Sequence, residues 1–182
     1  MLFRSATTSA SGTSGGSVKI TTGVGSKTSS GDLVLLTGVG GASGVSGKVE
    51  LSSGSTTVGH SGEVNIGSGT AAGGHGGNIN ILVGNGDNGD AGDLTITSGK
   101  TSGTGSGGDI IITSGSSTKT SSGAIMMTTA TAGPAGVSGQ ITLSTGDSTN
   151  AQSGSVFVTT GAGVGDAAGD IKLTVGSGTV GP

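Results

Sequence analysis

His60, His75 and Asp90 are the residues whose types and spacing come closest to a chemistry. They share one offset, directly before the pairs Ser61-Gly62, Gly76-Gly77 and Ala91-Gly92, and follow one another at intervals of 15 residues. If the chain coils with that period, they stack about 4.8 Å apart. Two imidazoles and a carboxylate are ordinary ligands for a divalent ion. The flanking repeats carry Val45 and Ser106 at the same offset, and polar surface columns arise freely in repeats, so the three also read as a solvated column. No metal, cofactor or catalytic residue is assigned. Serine is abundant, but no Gly-x-Ser-x-Gly stands in a strand-turn-helix setting, and the two histidines have no oriented partner, so the chain reads as a non-enzyme.

A second set of residues could order water rather than react. One column runs Thr97, Thr113, Thr128, Ser144, Thr159 and Thr174, an unbroken row of hydroxyls on what parity makes an outward position. A flat, regularly spaced array of this kind is similar to the ice-facing surfaces of antifreeze β-helices, which implies ice as an alternative ligand. The outward neighbour column does not double it, because it reads Asn80, Thr95, Ile111, Met126 and Phe157 among others. Ile111, Met126 and Phe157 make that neighbour column apolar in the C-terminal half, a candidate lateral contact with another copy. Gly84 to Asp93 resembles the calcium-binding nonapeptide of repeat-in-toxin β-rolls, but that motif works in tandem copies, and one approximate match in a 15-residue frame reads as a solvated turn.

What must position these columns is a short unit repeated through the 182 residues, typified by Gly92-Asp93-Leu94-Thr95-Ile96-Thr97-Ser98-Gly99. A first apolar column reads Val18, Leu33, Val49, Val64, Ile79, Leu94, Ile110, Ile125, Ile141, Val156 and Ile171. Two residues on lies a second: Ile20, Leu35, Leu51, Ile66, Ile81, Ile96, Ile112, Met127, Leu143, Val158 and Leu173. A spacing of two places both on one face of an extended segment, where β-branched residues are favoured. Glycine precedes every such segment and follows all but the one ending at Ala130, which predicts corners with positive φ or close backbone approach. The column Thr22, Thr37, Ser53, Ser68, Val83, Ser98, Ser114, Thr129, Thr145, Thr160 and Val175 is expected at the inner corner, its hydroxyls satisfying one another and the backbone.

Composition bounds the class. Gly contributes 43 residues, aromatics 1% and charged residues 9%, with a net charge of −3 and no cysteine. Such a composition without a period belongs to disordered chains, whereas a period argues for an ordered repeat. Sparse cations and almost no aromatics exclude the footprint and the stacking platform of nucleic-acid binders. No stretch approaches the roughly 18 apolar residues of a membrane span, so membrane insertion is not expected.

These readings predict an all-β fold: a parallel β-solenoid of about 11–12 coils, with a 15–16 residue repeat and a thin, flattened core. A single domain is expected over residues 1–182, with 1–16 a degenerate first coil and spacer and 17–182 regular coils. Uncapped ends make it read as a fragment or stacking unit of a longer array. Units such as Ser30-Gly31-Asp32-Leu33-Val34-Leu35-Leu36-Thr37-Gly38 and Gly107-Gly108-Asp109-Ile110-Ile111-Ile112-Thr113-Ser114-Gly115 resemble the Gly/Ser/Thr-rich β-solenoid arrays of fibrous surface proteins and adhesins, including those of unicellular algae and their viruses. The resemblance implies an extracellular location or a place on a cell or virion surface, and supplies no site residues. The expected role is a rigid rod in an extracellular filament, appendage or adhesin stalk, with the chain itself as partner, end to end or side by side.

Overall fold

The computed structural model describes residue 5 and residues 15–178, so the degenerate first coil and spacer expected at 1–16 lie almost wholly outside the described residues. It divides into two units, Met1–Leu94 and Thr95–Pro182. Among the described residues there is no helix and no β-strand. The expected parallel β-solenoid is therefore not formed. The physical reason is visible in the hydrogen bonds: a solenoid needs each rung's main chain bonded to the next, and no such ladder exists among the described residues. Their backbone-to-backbone bonds are confined to loops and their stems.

The periodic unit survives in another form. In each unit, extended apolar segments alternate with loops whose two ends meet. The Gly31 amide donates to the Gly23 carbonyl at 3.3 Å, that of Gly108 to Gly99 at 3.0 Å, and that of Gly123 to Gly115 at 2.9 Å. Each bond joins the glycine that ends one segment to the glycine that begins the next, enclosing a loop of the compact, end-closed kind. Some loops turn on local chemistry. Gly44 donates to Gly41 at 3.0 Å and Gly136 to Gly133 at 3.1 Å, both four-residue turns. In the second, Pro134 holds the first central position, where its fixed φ is already suitable. In another loop Ser117 Oγ accepts from the amides of Lys119 and Thr120 at 3.3 and 3.0 Å, a side chain standing in for a turn carbonyl.

The stem explains the entry glycines. A Cβ at Gly108 would lie 2.5 Å from Ser98 Oγ, and one at Gly92 would lie 3.1 Å from Val83 Cγ1. Any side chain there would push the two loop ends apart. The corner column thus packs across the stem rather than stacking with its own kind. Ser98 Oγ donates to the Asp109 carbonyl at 3.2 Å. Thr22, Ser98, Ser114 and Thr129 from this column are among the few partly covered residues, and Val83 at 43% is the most covered large apolar side chain.

No hydrophobic core accompanies this order. Among the described residues none is buried, apolar or polar. The chain exposes 18194 Å². A folded chain of its 16.7 kDa would expose about 7,600 Å² and a fully extended one about 24,000 Å². The first apolar column is half covered, from 49% exposed at Val64 to 68% at Val49. The second is more open, from 62% at Val158 to 88% at Leu173. Alternation of faces is therefore present, but the face meant for burial has nothing over it. Full burial of such a side chain contributes about 1.5–3 kcal/mol, and ordering one residue's backbone costs roughly 1–2 kcal/mol. With the apolar contribution withheld, the stems are the main intrachain restraint.

The stems should be measurable in dilute solution. Because one net hydrogen bond contributes about 1 kcal/mol, the Gly108 and Gly123 amides should exchange with solvent roughly fivefold more slowly than the loop amides of 104–106. Gly108→Val should abolish that difference at residue 108 and leave it at residue 123, as read by amide-resolved hydrogen exchange.

Candidate functional site

The three candidate ligands all belong to the unit Met1–Leu94, each in a different loop. His60 and Asp90 follow Gly59 and Gly89, whose φ values of +101° and +79° lie in the left-handed region that glycine tolerates. A Cβ at either glycine would meet open space. Gly59 and Gly89 therefore serve a reversal of the chain. His75 is held differently, its Nδ1 lying 3.2 Å from the Gly76 carbonyl. All three side chains are exposed. Among the described residues no three His, Cys, Asp or Glu side chains are grouped as a metal site would require. Their stacking at ladder spacing depended on the solenoid, and without rung-to-rung bonds nothing brings one loop over the next.

The hydroxyl row meets the same difficulty. Thr97, Thr113, Thr128, Ser144, Thr159 and Thr174 are all exposed. Exposure distinguishes nothing in a chain where nearly every residue is exposed. A flat array needs adjacent segments fixed at a constant separation, and the described segments of Thr95–Pro182 share no backbone ladder that would fix it. The hydroxyls of the row are present, but the described residues do not assemble them into a flat surface.

Ile111, Met126 and Phe157 are the most solvent-facing of the apolar groups in their segments, at 82%, 85% and 86% exposed. They lie on the face opposite the two apolar columns, so each of these segments is apolar on both sides. Charge is sparse nearby. The single ion pair among the described residues joins Lys48 Nζ to Glu50 Oε2 at 2.5 Å within one segment, with both side chains well exposed, an arrangement that contributes little to stability. No cavity opens among the described residues.

Sequence reasoning missed one class of residue. At Gly25, Gly40 and Gly163 a Cβ would run into backbone atoms on the far side of the same loop. Each stands two residues after a segment's closing glycine, as Gly-Val-Gly or Gly-Ala-Gly. That spacing was the available signal for a tightly doubled loop.

Comparison with protein-family models, with curated proteins and with solved structures finds no match.

The scattered ligands predict a null result for metal. Titration of Zn²⁺ into the chain, followed by calorimetry, should show no binding beyond that of isolated exposed imidazoles, and His75→Ala should remove no more than the weak share of one imidazole. A stoichiometric site lost in both His60→Ala and His75→Ala would show that the loops do converge.

Proposed function

We propose that this chain is a non-catalytic structural repeat protein, contributing by self-association to an extracellular filament, appendage or adhesin stalk. The observation that carries this reading is the recurrence of one unit, an apolar extended segment followed by a stem-closed loop, whose apolar face stays in solvent. An enzyme concentrates its information at one place, where a few unlike residues converge. Here the information is distributed: nearly every repeat has the same apolar pair and the same glycine corners, the pattern of a material built by repetition. The low charge and lack of cysteine suit assembly by backbone pairing and apolar contact. The compositional resemblance to fibrous surface proteins supports the same reading and the same surface location.

Negative-stain electron microscopy of concentrated protein should show filaments many chains long. Ice-crystal growth in the same preparations should match a buffer control. Thermal hysteresis that disappears in Thr113→Lys or Thr128→Lys would replace the structural reading with the ice-binding one.

A further inference from the structure

We infer that each segment pairs edge to edge with its own counterpart in a second copy of this chain, parallel and in register, so that the two apolar columns of one copy run on into those of the other. This rests on the structural reading above and specifies its contact. Three observations converge on a copy rather than a foreign partner.

The first is period. Successive members of the first column are separated by 15, 16, 15, 15, 15, 16, 15, 16, 15 and 15 residues. A partner that continues every pair must present apolar groups at the same uneven intervals, and an identical chain does so by construction. The order of intervals is not symmetric, so a reversed copy, or one shifted by a repeat, falls out of step at several segments. Parallel, in-register pairing alone matches them all.

The second is main-chain chemistry. Between Asp93 and Ser98, and between Asp109 and Ser114, no backbone-to-backbone hydrogen bond is made among the described residues. These segments alternate in polarity, and apart from the Asp109 carbonyl, which accepts from Ser98 Oγ, their amides and carbonyls have no partner among the described residues, which is the condition for strand addition by another chain. The third is area. The chain exposes about 10,000 Å² more than a folded chain of its mass, at least four times the roughly 1,000–2,500 Å² that each partner contributes to an obligate homodimer interface. An interface running the length of the repeats is large enough to use it, whereas a local contact is not.

The absence of cysteine makes the register directly testable. Thr97 and Thr113 occupy the same exposed column in adjacent repeats of Thr95–Pro182. Chains bearing Thr97→Cys and chains bearing Thr113→Cys are mixed under denaturing conditions, allowed to associate and oxidised. Trypsin then separates the two positions, because cleavage after Lys48, Lys100 and Lys119 leaves them on different peptides. In-register pairing brings identical residues about 5 Å apart, within disulfide reach. The expected products are like-with-like bridges, each joining two Thr97→Cys chains or two Thr113→Cys chains, at least tenfold over the mixed bridge between the two variants. A predominance of mixed bridges, or sedimentation at the mass of one copy from micromolar to millimolar concentration, overturns the inference.

A second pair of variants tests the face. Ile110→Asp with Ile125→Asp should raise the concentration needed for association by at least tenfold. Thr113→Asp with Thr128→Asp stacks the same charge on the opposite, solvated face, where water and salt screen the repulsion, and should raise it less. Equal effects overturn the assignment of the apolar columns as the contact. The inference and the function fail separately. Filaments held by mixed bridges overturn the register and leave the structural role standing, whereas like-with-like bridges in pairs that never extend into filaments overturn the structural role and leave the register standing.

Discussion

Everything in this molecule turns on the lack of cover over its apolar columns. Leu94 and Ile96, or Ile110 and Ile112, are placed by alternation on one face of an extended segment, and that face stays more than half exposed. Apolar burial is the largest favourable term in folding, so a chain that withholds it from itself has little with which to fix its segments relative to one another. The absence, among the described residues, of a ladder, of a cavity and of a grouped set of ligands follows from this. A ladder needs segments already held together, and a site needs loops already held over one another.

What the chain does fix locally is the loop stem. Gly99 and Gly108 meet through one hydrogen bond, and Ser98 adds a second across the same junction by donating to Asp109. Closing a loop of this length is cheap, since closure entropy grows only with the logarithm of length. The stem therefore forms without help from a core, whereas pairing one segment with the next requires ordering a whole repeat on each side. Local closure without long-range pairing is the result expected when the short-range contributions are present and the apolar one is not. Glycine at the stem is a consequence of that closeness, since a side chain at Gly92 or Gly108 would occupy the place of Val83 or Ser98.

The period, the two apolar columns and the entry glycines were all legible in the sequence, because each is a statement about residues close in the chain. The solenoid expected from them is not formed, for a definite reason. A spacing of two says that Ile110 and Ile112 share a face. It does not say whether the covering residues are Leu94 and Ile96 of the same chain or Ile110 and Ile112 of another. Stacking of repeats within one chain and stacking of identical segments between chains leave the same signature: matched columns, small loops and sparse charge. The candidate site failed with the fold, since His60, His75 and Asp90 had a common place only if the coils were stacked. The left-handed glycines before His60 and Asp90, and the doubled loops at Gly25, Gly40 and Gly163, depend on backbone angles that a residue type permits without requiring.

The distribution of charge follows from the same constraint. None of the 7 Lys and Arg or 10 Asp and Glu residues stands in either apolar column. Those within segments occupy the entry position, as at Asp32, Asp93 and Asp109, or the outward middle position, as at Lys19, Glu50 and Lys172. Copies stacked in register place like charges about 5 Å apart, which opposes association in proportion to how many there are. A chain that associates with itself can hold such charges only sparsely, on the solvated face, or beside an opposite partner as Lys48 is beside Glu50. Charge is needed all the same, because an uncharged alternating segment with free main-chain groups pairs indiscriminately. The loops, with Lys27, Asp87, Lys119 and Asp147 among their residues, keep the rest of the charge where it hydrates the chain without entering the contact. Few charges, none of them on the apolar face, with both signs interspersed along the chain, is what remains when a sequence must remain in solution as one copy and still meet another.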